Sequence, residues 1–191
     1  MEQRVEFNTE LIKRYDVAGP RYTSYPTAVQ FMEGFDAEAY RRHTDASNNE
    51  LIPKPLSLYV HLPFCKSLCY YCGCMKKVTR HTHQADQYLE LLNREVEMQG
   101  QLFDHDRQVI QLHFGGGTPT FHTDDQLKTL MDVLGTHFSL SREDSREFSI
   151  EVDPRTVGTE RLAVLADMGF NRISLGIQDI HPDVQKAVNR I

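Results

Sequence analysis

From Leu56 onward, short apolar runs alternate with longer stretches of helical spacing. Leu56–Leu62 reads as a buried strand. Residues 84–103 follow as a helix, with Tyr88, Leu91, Leu92, Val96, Met98 and Leu102 at a mostly helical spacing. Residues 109–114 predict a second strand that runs straight into Gly115, Gly116 and Gly117. The next helix starts with Thr123 or Asp124 as its N-cap and carries Leu127, Leu130, Met131 and Leu134. Glu147–Val152 is a third strand, closed by Asp153 and Pro154, and residues 159–168 form a helix stopped by Gly169. The fourth strand spans 172–177, and Pro182 opens a fourth helix that is still running at Ile191.

Strands that alternate with helices pair in parallel through right-handed crossovers. Four such βα units do not close a barrel. Two architectures stay open on the pattern alone: a complete four-stranded open α/β sheet, and the first part of a larger (βα) barrel. Residues 1–55 form an N-terminal extension with two short helical patterns, at 8–15 and 36–43. Between them lies the loop 19–27, with two prolines, a glycine and two tyrosines. Residues 56–191 are the βα domain.

Composition narrows the class. Hydrophobic residues make up 40% and charged residues 25%, the balance of a soluble globular chain. With Lys+Arg 21 and Asp+Glu 27, the net charge of −6 disfavours a nucleic-acid or anionic-membrane partner. The first residues are acidic rather than apolar, and no run approaches the roughly eighteen apolar residues of a membrane span. The expectation is a cytoplasmic protein.

All four cysteines, Cys65, Cys69, Cys72 and Cys74, fall within ten residues, just past the first strand. A disulfide scaffold would spread them to staple distant loops. Crowded into one loop they point to metal or redox chemistry. The spacing Cys65-x3-Cys69-x2-Cys72 puts three thiolates on one turn and suits a four-iron cluster with one iron left open. A zinc site drawing pairs from separate knuckles fits less well, and a Cys69/Cys72 dithiol leaves Cys65 unexplained. In a barrel-type sheet the loops after the strands share one face, where ligands bind. The cysteine loop, the glycines, Glu151 and Gln178 all fall there.

The cysteine spacing directly after a first strand resembles the radical S-adenosylmethionine (SAM) enzymes. Within them, several stretches resemble the oxygen-independent coproporphyrinogen III oxidases across essentially the whole chain: residues 59–65, the Cys72-Gly73-Cys74 step, 113–120, 151–155, 171–179, 188–190 and the loop 20–27. The resemblance implies a partial radical SAM-type (βα) barrel and a [4Fe–4S] cluster held by Cys65, Cys69 and Cys72. It also implies two SAM molecules. Tyr59, Tyr71 (through its backbone), Gly116 and Glu151 would meet the cluster-bound SAM, and Gly117, Thr118, Gln178 and Arg190 the second. The implied reaction is oxidative decarboxylation of two propionates of coproporphyrinogen III to protoporphyrinogen IX, with an electron donor and an electron acceptor as further partners. The loop at 19–27, with Arg21, Tyr22 and Tyr25, would help hold the substrate's propionates.

Blander readings stand beside these. Without the resemblance, the glycines could be a tight turn, Glu151 a strand-end salt bridge, Tyr59 core and Arg190 a solvated helix residue. Cys74, not a ligand in that family, could be a small buried filler. His61 and His113 read as satisfied core histidines, and Lys76, Lys77 and Arg80 as a solvated basic run. The competing function is a haem-binding chaperone of the same superfamily. Such proteins resemble this chain around the first three cysteines but typically carry an aromatic residue at the Cys74 position and lack the Arg21–Thr27 loop.

Overall fold

The computed structural model describes residues 7–17 and 27–191. The chain divides into two compact units, residues 1–38 and 39–191. In the first, α1 (Thr9–Tyr15) is capped by Asn8, whose side chain accepts the Leu11 amide at 2.9 Å. The loop at 19–27 lies outside the described residues except for Thr27, and Arg21, Tyr22 and Tyr25 with it. Helix α2 (Ala37–Asn48) begins at the end of this unit and continues in the second.

The second unit runs β1 (Leu56–Leu62), β2 (Phe64–Cys65), β3 (Lys77–Val78), α3 (His83–Gly100), β4 (Gln108–Gly116), α4 (Asp124–His137), β5 (Ser139–Leu140), β6 (Glu147–Val152), α5 (Thr159–Asp167), β7 (Arg172–Leu175) and α6 (Pro182–Ala187). The main sheet has the order β1-β4-β6-β7, parallel throughout, with β5 beside the start of β4. The four predicted strands thus lie side by side in chain order, and β7 is an edge. This parallel α/β sheet agrees with a partial radical SAM-type barrel.

Strand alternation sorts the residues onto two faces. Val60, Leu62, Leu112, Phe114, Ile150 and Val152 are buried against Leu89, Leu92 and Val96 of α3, Leu127, Leu130 and Leu134 of α4, and Leu165 of α5. Tyr59, His61, His113, Ser149 and Glu151 take the opposite face, where none is fully buried.

The caps explain the helix boundaries. Thr123 accepts the Gln126 amide at 3.2 Å while the Gln126 side chain accepts the Thr123 amide at 2.9 Å, a reciprocal capping box. Gly169 stops α5 in the left-handed region at φ 101°. The expectation that the fourth helix still runs at Ile191 is overturned. Helix α6 ends at Ala187, and Asn189 turns into the left-handed region at φ 56°. Strand β7 also ends at Leu175, two residues short of its predicted end.

Candidate functional site

The cysteine loop leaves β1 and is shut by a clasp. Strands β2 and β3 pair in parallel, Phe64 with Lys77 and Cys65 with Val78. The Lys77 amide donates to Pro63 O at 2.7 Å and the Thr79 amide to Cys65 O at 2.9 Å. Inside the loop, the Lys76 ammonium donates to the carbonyls of Cys72 at 3.1 Å and Cys74 at 3.2 Å. Lys76 is therefore tied to the loop backbone, not part of a free basic run.

All four thiols are free and line one cavity of about 590 Å³ at the C-terminal ends of the strands. Tyr71, Gly116, Gly117, Thr118, Glu151, Gln178 and Arg190 line the same cavity. Tyr59 does not line it. Its ring is stacked on His113 at 5.8 Å, and its hydroxyl bonds His61 Nδ1 at 3.0 Å. Cys74 is exposed, so the buried-filler reading fails.

The glycines are explained by crowding. A Cβ on Gly116 would stand 2.6 Å from the His61 ring, and its φ of 114° is the left-handed region in any case. One on Gly117 would stand 2.6 Å from the Pro63 carbonyl. The strand end can pass this close to the clasp only without side chains. The same approach lets the Gly116 amide donate to Glu151 Oε2 at 3.2 Å and the Thr118 hydroxyl reach Cys65 Sγ at 3.6 Å.

His61 and His113 belong to the polar face, contrary to the core expectation. His113 bonds Ser149 Oγ at 2.6 Å through Nδ1 and Glu151 Oε1 at 3.3 Å through Nε2. His61 bonds the Met75 carbonyl at 3.0 Å through Nε2. Glu151 is thus held from two sides, by His113 and by Gly116. Alternation along a strand distinguishes two faces but does not say which one helices cover.

On the other wall, Arg190 is nearly enclosed, its side chain 12% exposed. Its Nη1 lies 3.3 Å from Cys69 Sγ, and its Nη2 donates to Gly176 O at 2.6 Å. It is not a solvated helix residue. Asp153 lies 3.7 Å from Arg190 Nη2 and takes a tighter contact, 2.6 Å, from Arg155 Nη2. Burial pushes the Asp153 carboxyl up. The Arg155 side chain and amide, with the Arg190 charge, outweigh that and hold it below the usual carboxylate range. Asp153 and Arg155 were visible in the sequence only as part of a motif, with no role attached.

The chemistry of the donor set fits a polynuclear cluster. Burial pushes the Cys65 thiol up, aided by Cys72 and Cys69 and opposed by the Thr118 hydrogen bond. Bound iron would deprotonate such a thiol outright, and Arg190 stands where a thiolate charge on Cys69 would be offset. Among the described residues, no three His, Cys, Asp or Glu side chains converge closely enough to hold one metal ion. Three cysteine sulfurs lining one cavity, with a guanidinium beside Cys69, are the thiolate-rich donor set that such a cluster takes.

The Radical SAM superfamily pattern matches residues 59–191. This chain belongs to the radical SAM superfamily. Membership implies a [4Fe–4S] cluster and SAM as cofactors. Among curated relatives of this radical SAM chain, the oxygen-independent coproporphyrinogen III oxidase of Pseudomonas aeruginosa is 47% identical over 194 residues, covering 100% of this chain and 41% of that protein. The oxidase of the same name from Mannheimia haemolytica is 47% identical over 144 residues, 75% of this chain and 94% of that sequence. Among solved structures, coproporphyrinogen III oxidase from Escherichia coli, described as a radical SAM enzyme, superposes with a TM-score of 0.80 at 45% identity. That match covers 99% of this chain and 40% of the other. The chain thus spans about two fifths of the length of the Pseudomonas and Escherichia relatives. Among the described residues, no helix is long and apolar enough to cross a membrane.

Proposed function

We propose that this chain supplies the cluster- and SAM-binding part of an oxygen-independent coproporphyrinogen III oxidase. Such an enzyme decarboxylates two propionates of coproporphyrinogen III to vinyl groups in cytoplasmic haem synthesis, with an electron donor and an electron acceptor as partners. One observation carries the reading: the loop bearing Cys65, Cys69 and Cys72 lines one cavity with Glu151, Gly116 and Arg190. The relatives named above support the substrate. No observation favours the haem-chaperone reading.

Held by Cys65, Cys69 and Cys72, a bound cluster would supply the one-electron reduction of SAM on which radical chemistry at a propionate β-carbon depends. The chain's own residues hold and orient. Cys65, Cys69 and Cys72 ligate iron, and Cys74 does not. Glu151, fixed by His113 and the Gly116 amide, presents its carboxylate to the ribose hydroxyls or ammonium of the cluster-bound SAM. The Tyr71 backbone completes that SAM site, while Tyr59, which does not line the cavity, supports His61 and His113 beside it. Gly117, Thr118, Gln178 and Arg190 serve a second SAM, whose carboxylate suits a guanidinium. The loop at 19–27 is assigned to the propionates on its residue chemistry.

The test is anaerobic reconstitution of the full-length protein, followed by a coproporphyrinogen III assay with SAM and reductant. Protoporphyrinogen IX should form. Cys65→Ala, Cys69→Ala and Cys72→Ala should each lose iron and SAM cleavage, while Cys74→Ala keeps the cluster. Equal iron loss in all four variants would refute the three-ligand assignment.

A further inference from the structure

Two helices of this chain stop in the same hydrogen-bonded turn. At the end of α5, the Gly169 amide donates to Ala166 O at 2.9 Å and the Phe170 amide to Leu165 O at 3.2 Å. At the end of α6, the Asn189 amide donates to Lys186 O at 3.2 Å and the Arg190 amide to Gln185 O at 2.7 Å. Both turns place their first residue past the cap in the left-handed region. Glycine adopts that conformation without steric cost, and asparagine is the usual substitute. If stopping the helix were the whole task at 189, glycine would suffice.

Asparagine adds a donor, and the structure uses it far away. Asn189 Nδ2 donates to Leu68 O at 2.7 Å, across 121 positions of sequence. On either side, Val188 O accepts the Tyr70 amide at 3.1 Å, and Arg190 Nη1 contacts Cys69 Sγ at 3.3 Å. Three consecutive residues grip three consecutive residues of the cysteine loop, centred on Cys69. Lys76 holds the loop's other arm through Cys72 O and Cys74 O.

We propose that Asn189 is a positioning residue for the iron site: its side-chain amide holds the Leu68–Cys69–Tyr70 segment in place, so that the Cys69 sulfur keeps its position relative to those of Cys65 and Cys72. The inference rests on the reading that Cys69 ligates the cluster. Two consequences follow from the geometry. Losing the bond favours local opening of the loop, so iron escapes faster. It also loosens the cluster's orientation toward the cavity, where Arg190 and Gln178 lie.

The decisive variant is Asn189→Gly in the full-length, anaerobically reconstituted protein. Glycine keeps the left-handed stop and deletes only the donor. It should load the wild-type amount of iron, melt within about 4 °C of wild type before loading, and release iron to a ferrous chelator about fivefold faster, the worth of one ordinary hydrogen bond. The change in the reduced cluster's EPR spectrum on adding SAM should broaden, a response that a purely structural role would not produce. Asn189→Asp, which turns a carboxylate oxygen toward the Leu68 carbonyl, should release iron at least as fast. Wild-type release by Asn189→Gly overturns the proposal. So does a melting temperature lowered by more than about 10 °C in that variant, because the residue would then act on the fold as a whole. Cys69→Ala is the separate arm. If it retains iron, the ligand assignment fails whatever Asn189 does.

Discussion

The two faces of the same three strands, β1, β4 and β6, do different work. On one, Val60, Leu112, Phe114 and Ile150 are sealed beneath α3, α4 and α5, each at most 5% exposed. On the other, one residue along, Tyr59, His113, Ser149 and Glu151 form a polar row whose bonds lead toward the cysteine loop and Gly116. The alternation that makes a strand also separates stability from chemistry. A substitution one position along should therefore change which property fails.

The largest expected effect lies on the sealed face. Phe114 is fully buried and meets Phe170 edge-on at 5.1 Å. Phe114→Ala should cost about 3–5 kcal/mol by chemical denaturation, through lost contact and the cavity left behind. A loss below about 1 kcal/mol would mean that the helices are not fastened there.

The second effect is a pH dependence from a separate buried cluster around Phe64 and Phe121. His122 is 1% exposed, both its ring nitrogens lack hydrogen-bond partners, and it lies against Phe64 and Phe121. Burial pushes its pKa down to about 4. Above about pH 6.5 the imidazole is neutral whether the chain is folded or not. Below that only the unfolded chain takes the proton, so stability falls as pH drops from about 6.5 and levels off near 4. The shift is worth about 3 kcal/mol at most. His122→Leu should flatten that slope in denaturation series between pH 7 and 4. An unchanged slope would assign it to other groups.

Where the faces meet, Gly116→Ala forces a side chain into a left-handed residue and against the His61 ring. The expected cost is about 2 kcal/mol of stability, within the usual range for backbone strain, together with weaker SAM binding by calorimetry. The smallest effect sharpens the contrast. Ser149→Ala removes a hydroxyl from the polar row and should cost under about 1 kcal/mol. It frees the ring of His113, which holds Glu151, so SAM affinity should still fall severalfold. Unaltered SAM affinity would show that the row does not fix the carboxylate.

Much of this was legible in the sequence because local rules and tertiary packing agree. Thr123 or Asp124 announces a capped start, Gly169 a stop, and the alternating apolar runs all four strands. The C-x3-C-x2-C spacing marks the loop without any knowledge of the fold. What stayed hidden depends on contacts between distant segments. The β2–β3 clasp is two residues long on each side and carries no periodicity. The stop at Asn189 uses asparagine where a glycine would have signalled it. Apart from the family resemblance, Arg190 reads as a surface residue because nothing local shows that Asp153, Cys69 and the Gly176 carbonyl surround it. His61 and His113 were placed in the core because periodicity gives two faces and no label.

The clasp has a consequence for how iron arrives. Its hydrogen bonds join backbone to backbone, Lys77 to Pro63 and Thr79 to Cys65, and require no cofactor. The two ends of the segment 66–76 are therefore brought together by folding itself. Closing an open loop around an incoming cluster would cost entropy at the moment of loading. Here that cost falls on the folding step, so three cysteines already share one small volume when iron and sulfide are delivered. Loading should then resemble the filling of a pocket more than the folding of a segment.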